Sequence, residues 1–242
     1  MQIGSAKWKA LIRKGADRFD LPLDPAALEK FADHARELLR WNKKINLTAI
    51  ADPTEIAVKH FLDSLAAAAV IPRGGTLLDV GSGAGFPGIP LKIVRPALRV
   101  TLIDASRKRV SFLKHVLRLL GLEHADARHL RADELARMLS EGKGDPRVLI
   151  DPPAPFDTVV SRALSSLEMF VALALPLVAE NGRIVALKGR ISDSELEGAR
   201  RMVMRASGSE TDAPQISIKR YKLPLLEADR SLVTIRPGAL PG

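Results

Sequence analysis

Residues 77–88 read LLDVGSGAGFPG, which sets four glycines, Gly81, Gly83, Gly85 and Gly88, directly behind an apolar run that carries an acid, Asp79. Backbone without a Cβ lets a ligand approach closely, so the stretch has the composition of a binding loop. Its spacing restricts the ligand. A dinucleotide fingerprint needs its third glycine three positions after the second, and that position holds Phe86. A P-loop ends in a lysine followed by Ser or Thr, and none follows these glycines. Phosphate cradling is therefore the weaker reading. A glycine turn that serves only close strand–helix packing is the bland alternative.

Acid-x-Gly-x-Gly-x-Gly after a first strand resembles the pattern of the S-adenosylmethionine (SAM)-dependent methyltransferases, in which bare backbone admits the methionine and ribose portion of the cofactor. Further residues extend the pattern. Asp104 ends a second apolar run, 25 residues after Asp79, where nucleotide-binding α/β folds place a carboxylate on ribose hydroxyls. Capping a helix that starts at Ser106 is its competing role. Asp133 stands where an acid after a third strand accepts an adenine amino group, and it is equally placed to cap a helix. Arg162, in SRA, suits a methionine carboxylate or a substrate phosphate, and Lys188, in ALKGR, has the same two options. Asp151-Pro152-Pro153 looks like the acid-Pro-Pro-aromatic run with which amino-group methyltransferases hold an exocyclic nitrogen. That motif must follow a fourth strand, for which 156–160 (FDTVV) is the better candidate, so the run is read as a loop.

Positioning these residues together requires a parallel sheet. Short apolar runs, TLLDV, RVTLID, a weaker one around HLRAD, DTVVS and RIVALK, alternate with helical stretches beginning near Pro90, Ser106, Asp133, Ser166 and Ser192. Such alternation predicts helices on both faces of the sheet. Two last β-rich runs, QISIKRYKL and RSLVTI, have no helix between them and predict an antiparallel pair closing the sheet. Residues 1–73 carry no strand signal. Leu28, Phe31, Ala35, Leu38 and Leu39 follow helical spacing behind Asp24 and Pro25, a second helical stretch covers 53–69, and Pro72-Arg73-Gly74-Gly75 breaks it. The expected organisation is a helical cap over 1–73 and a SAM-dependent methyltransferase domain over 74–242. Its fold is α/β and Rossmann-like, of the class I type: a mostly parallel seven-stranded sheet with an antiparallel C-terminal hairpin behind an N-terminal helical extension. Residues 141–155, rich in Gly, Pro and Asp, read as an insertion loop.

Composition narrows the partners. A chain of 242 residues, 46% of them hydrophobic, suffices for one large domain and a small appendage. Lys and Arg number 37 against 28 Asp and Glu, for a net charge of +9, which suits a polyanionic partner or simply a solvated basic surface. The absence of cysteine excludes disulfides, thiolate metal sites and cysteine nucleophiles, and the five histidines lack metal-ligand spacing, so no metal is expected. MQIGSAKWKALIRKG has no apolar signal-peptide core, and no apolar run reaches about 18 residues. A cytoplasmic monomer without membrane contact is expected.

In chain order, NLTAI (46–50), KHFLDSL (59–65), LLDVGSGAGFPGIPLKIVRP (77–96), LIDASRKRVSFL (102–113), VVSRA (159–163) and ALKG (186–189) resemble the bacterial small-subunit (16S) ribosomal RNA guanine-N7 methyltransferase G family. The family is also called glucose-inhibited division protein B, and the resemblance spans about residues 25–236. It implies SAM as cofactor, held by Gly81 and Phe86 in the loop, Ala132 and Asp133 after the third strand, and Arg162. Gly83 and Asp104 join them from spacing. Lys188 and His60 are assigned to the substrate side, and 16S ribosomal RNA or the small ribosomal subunit is the implied partner. The insertion at 141–155 and the two ends depart from the family pattern without touching a cofactor motif.

The implied chemistry asks little of side chains. Guanine N7 carries a free lone pair at neutral pH, so attack on a sulfonium methyl needs no general base, and proximity with alignment does most of the work. His60 and Asp63, three apart, read as a helix-surface pair, with orientation of substrate or loop as the alternative. N7 faces the deep, narrow major groove of RNA, so the target guanosine is expected in a loop or flipped out. Arg107, Lys108, Arg109, Lys114 and Arg118, with Lys43, Lys44 and Lys59 on the cap, are candidates for a basic rim. The competing functions are a class I methyltransferase for a small molecule or protein, and a catalytically inactive RNA-binding protein.

Overall fold

The computed structural model describes residues 1–141, 155–162, 166–207 and 214–238; Asp151-Pro152-Pro153 and most of the 141–155 stretch lie outside them. Seven strands form one sheet: β1 (Gly75–Val80), β2 (Leu98–Asp104), β3 (Ala125–His129), β4 (Phe156–Arg162), β5 (Val178–Lys188), β6 (Gln215–Lys222) and β7 (Asp229–Arg236). Their order is β3-β2-β1-β4-β5-β7-β6. β1 to β5 are parallel, and β7 runs antiparallel to both β5 and β6. β1 pairs with β2 on one side and β4 on the other, which makes it the topological switch point where open α/β sheets bind ligands beyond their carboxyl ends. The register Asp79↔Val160 sets the glycine loop beside Ser161 and Arg162.

The helices begin close to where capping chemistry predicts. Asp24 accepts from Ala27 N at 2.6 Å to start α2 (Pro25–Ile45), Ser106 accepts from Arg109 N to start α6 (Arg107–Leu119), and Ser166 accepts from Met169 N at 3.0 Å to start α8 (Leu167–Ala174). α5 (Gly88–Val94), α7 (Ala132–Ser140) and α9 (Asp193–Ser207) complete the crossovers. Residues 53–69 are helical throughout but not uniformly so. After α3 (Pro53–Glu55) comes a π-helical segment, Ile56–Leu62, then α4 (Asp63–Ala66) and a 3₁₀ turn, Ala67–Ala69.

Three details differ from the sequence reading. The third strand is Ala125–His129 rather than HLRAD, because positive φ at Gly121 and His124 turns the chain early enough for Ala125 to pair with Val100. As an edge strand it buries only Ala127 and shows no apolar run. β5 begins at Val178, well before RIVALK, and its pairing with β4 slips between Phe156 and Thr158. An additional helix, α1 (Ala6–Asp17), is capped by Ser5 and buries Trp8, Ile12 and Ala16 along one stripe.

One hydrophobic core joins Trp8, Phe31 and Phe61 of the N-terminal helices to Leu77 of β1, Phe86 of the loop and Phe112 of α6. The opposite face of the sheet is covered by α7, α8 and α9 around Phe156, Phe170 and Val203. The N-terminal helices thus complete one of the two layers that bury the sheet. Both tryptophans, Trp8 and Trp41, lie in this cap. Phe61→Ala is expected to cost about 3–5 kcal/mol. Because the core is shared, tryptophan fluorescence and far-ultraviolet circular dichroism should report coincident urea transitions; an earlier fluorescence transition would show the cap melting by itself.

Candidate active site

The four glycines divide by what a Cβ would meet. At Gly88 it would strike Leu102 and lie 2.7 Å from Asp79 Oδ2, and at Gly85 it would strike Ile89. Those two permit packing. At Gly81 nothing lies within 4 Å, and at Gly83 only the Gly81 carbonyl does, at 3.9 Å. Both have positive φ, 69° and 57°, and both present bare backbone to open space at the end of β1. The loop is pinned from below: Gly81 N and Ser82 N donate to the Ile103 carbonyl at 2.9 and 3.0 Å, and Gly88 N donates to Asp79 Oδ2 at 2.8 Å.

Asp79 is fully buried, and desolvation pushes its carboxyl up to about 7. Its Oδ1 has no hydrogen-bond partner among the described residues. Asp104 accepts from Gly83 N at 2.9 Å through Oδ2 and from Ser106 N at 2.8 Å through Oδ1, while the cap of α6 is Ser106 itself. The carboxylate therefore ties loop to helix and still has lone pairs for ribose hydroxyls. Ala132 and Asp133 open α7; Ala132 is buried, and Asp133 is exposed, with the hydrogen bond from Arg131 holding its carboxyl below the usual range. The helix cap there is Arg131, so Asp133 is not the capping residue. An open cradle at Gly81 and Gly83, with the Asp104 carboxylate bonded to Gly83 N and keeping spare acceptor capacity, fits a ligand carrying hydroxyl donors, as SAM does.

Phe86 is the hinge between loop and cap. Its ring lies between two histidines: His34 stacks at 4.7 Å and 14° on one face, and His60 at 4.6 Å and 18°. Phe61 meets it edge-on at 5.3 Å, and the Arg162 guanidinium sits 5.1 Å from its centroid. His34 Nε2 is 2.8 Å from the Ala84 carbonyl inside the glycine loop, so the cap grips the loop directly. Arg162 donates to the Lys59 carbonyl at 2.8 Å and lies 3.2 Å from His60 Nδ1 and 3.7 Å from Asp63. Its guanidinium is thus engaged by the cap.

His60 and Asp63 are not a helix-surface pair. Both are buried, because the segment from Ile56 to Ala68 is enclosed on nearly every side, with Lys59 alone half-exposed. His60 Nε2 is 3.0 Å from Thr48 Oγ1, and Asp63 accepts from Tyr221 Oη at 2.9 Å and pairs with Arg230 at 3.3 Å. A cavity of about 440 Å³ opens here at the carboxyl ends of β4 and β5, lined by Lys59, His60, Asp63, Arg162, Lys188 and Arg230 among others. Lys188 is held by Glu195 at 2.6 Å. The structure therefore brings His60, Arg162 and Lys188 together on one cavity, with Gly81, Gly83 and Phe86 on the neighbouring loop and Asp104 at the end of β2 bonded to it. His34, Tyr221 and Arg230 were not anticipated. No pattern in the sequence marks His34 beyond its place on the apolar stripe of α2, and Tyr221 and Arg230 come from a hairpin remote in sequence.

Burial holds His34 at about 4 and His60 at about 3, both well below 6.5. The unfolded chain therefore takes up protons below about pH 6.5 that the folded chain refuses, and stability falls as pH drops through that window. For His34 the loss is on the order of 3 kcal/mol. His34→Gln keeps a donor for Ala84 and should flatten the fall in urea midpoint between pH 6.5 and 4.5; an unchanged slope would show that other groups set it. The glycines should separate as sharply. Gly81→Val should fold and lose SAM affinity by calorimetry, whereas Gly88→Val should fail to fold, and a folded Gly81→Val that binds SAM normally would put the cradle elsewhere.

Comparison with known proteins gives the family and the fold. The family model for GidB, rRNA small subunit methyltransferase G, matches residues 27–223. A ribosomal RNA small subunit methyltransferase G of Geobacter sp. (strain M21) is 43% identical over 94% of this chain and 96% of its own length, and one from Halalkalibacterium halodurans is 38% identical over 88% and 84%. Among solved structures, an O-methyltransferase from Bacillus cereus in complex with SAH superposes with a TM-score of 0.54 at 18% identity, covering 95% of this chain and 98% of that one, which shows the shared fold. The match over most of the length means that the chain belongs to the ribosomal RNA small subunit methyltransferase G family.

Proposed function

We propose that this protein transfers the methyl group of SAM to N7 of a guanosine in 16S ribosomal RNA. The observation that carries the reading is the juxtaposition at the switch point: open backbone at Gly81 and Gly83 beside a cavity at the ends of β4 and β5. When bound, SAM supplies a methyl group activated by its sulfonium. Gly81 and Gly83 give it room, Asp104 accepts its ribose hydroxyls, Ala132 and Asp133 flank its adenine, and Phe86 with Arg162 closes the cradle toward the cavity. The acceptor base enters from the side lined by His60 and Lys188.

Among the described residues that line this cavity none is free to act as a base, which suits an acceptor whose lone pair is already exposed. His60 is neutral with both ring nitrogens in contact, and Asp63 is held by a tyrosine and two arginines. The chain's contribution is then alignment and electrostatics. Among the described residues no helix is long and apolar enough to cross a membrane. The reading places the protein in the cytoplasm, acting as a monomer on ribosomal RNA or on the small subunit.

Incubating the protein with methyl-labelled SAM and small-subunit RNA from cells lacking it should move label into ribonuclease-sensitive material. Borohydride and aniline treatment should then cut that RNA at a single modified guanosine; label in a product that resists ribonuclease would sink the assignment. Arg162→Lys keeps the charge but loses the planar fork that reaches the Lys59 carbonyl and His60 together, and kcat/KM should fall about tenfold or more, roughly 1.4 kcal/mol of barrier. If SAM affinity of that variant stays normal while RNA affinity drops, Arg162 belongs to the substrate instead.

A further inference from the structure

A second cavity, about 500 Å³, lies next to the first and shares Arg230 with it. Arg190, Arg220, Tyr221, Lys222, Asp229 and Arg230 line it. Register explains the adjacency. Lys188 of β5 pairs with Ser231 of β7, which pairs with Arg220 of β6, and the neighbouring pairs are Tyr221↔Arg230 and Lys222↔Asp229. The antiparallel hairpin thus brings its basic end to the carboxyl edge of the parallel strands, beside the acceptor cavity. Side chains alternate along a strand, so Tyr221 and Arg230 face the cap while Arg220 and Lys222 face the other way, and the groove wraps over the sheet edge between them.

Charge in the groove is unbalanced. Asp229 serves both Arg190, at 2.8 Å, and Lys222, at 3.6 Å, and Arg230 is spent on Asp63. Arg220 is exposed and forms no ion pair with another described residue. By contrast, the basic side chains of α6 belong to the β2 and β3 side of the switch point, across β1 from the acceptor cavity. Resting on the RNA-methylating reading above, we propose that the β6–β7 hairpin and the segment after β5 form the track for the RNA backbone flanking the target guanosine, with Arg190, Arg220 and Lys222 as its phosphate contacts.

The test compares two triple variants, Arg190→Gln/Arg220→Gln/Lys222→Gln and Arg107→Gln/Lys108→Gln/Arg118→Gln, with the unaltered protein. Affinity for a 16S ribosomal RNA transcript is measured across a potassium chloride series, and SAM affinity serves as the check on folding. Each phosphate contact adds about 0.7–0.9 to the slope of log K against log salt. The hairpin variant should therefore lose about two units of slope and about tenfold or more in affinity at 0.1 M salt, with SAM affinity intact, while the α6 variant stays within about twofold of the parent. Unchanged slope in the hairpin variant, or equal losses in both variants, would overturn the track. The two readings fail separately: if the slope difference appears but no variant, parent included, transfers methyl to RNA, the track stands and the reaction falls.

Discussion

The burial of the Phe86 ring between His34 and His60 is the contact on which the rest of the site depends. Phe86 is only 3% exposed, yet it belongs to the loop whose backbone is left bare at Gly81 and Gly83. Two imidazoles from different helices clamp it, one of them also bonded to the loop backbone at Ala84. Aromatic stacks of this kind add a preferred geometry to the area that they bury, so the loop is fixed in position as well as held. The open glycines can then stay open: their shape is imposed from the neighbouring aromatic cluster, without filling the space that the ligand needs.

A buried charge network extends that constraint to the far side of the cavity. Asp63 faces Arg162, Arg230 and Tyr221, drawn from β4, β7 and β6. Burial pushes the Asp63 carboxyl and the Tyr221 hydroxyl upward, with the arginines opposing the shift. Taking such groups out of water costs several kcal/mol each, and only close pairing offsets it. The network therefore contributes little net stability but strongly disfavours any arrangement in which one partner is displaced. Cap, sheet and hairpin keep one relative placement, and the cavity that Asp63, Arg162 and Arg230 line keeps one shape.

How much of this could be read from the sequence follows from which constraints are local. The glycine loop and the acid after the second strand announce themselves because ligand approach requires particular residues at particular steps. The parallel sheet, its antiparallel closing pair and the helix starts follow from alternation and capping. The division of labour among the glycines does not, since Gly81 and Gly88 look alike until their neighbours from β2 are in place. Nor does the setting of His60 and Asp63: spacing of three implies a solvent-facing helix surface only if the segment is α-helical and unburied, and here it is neither. The edge strand β3 escaped because an edge need not be apolar, and HLRAD, with its more hydrophobic leucine, drew the assignment four residues downstream. Arg162 was found as a residue, but its partners Lys59, His60 and Asp63, about a hundred positions away, were invisible to any local rule.

The single core running from Trp8 through Phe86 to Phe112 also bears on how such a protein can change over evolutionary time. An appendage with its own core can be acquired, exchanged or discarded between otherwise similar enzymes, much like a cassette. Here the appendage supplies the inner wall of the glycine loop, so replacing it would strip one layer from the sheet and release the loop together. Diversification is confined to gradual, compensated substitution across the seam, while wholesale length change is left to surface segments that do not touch it.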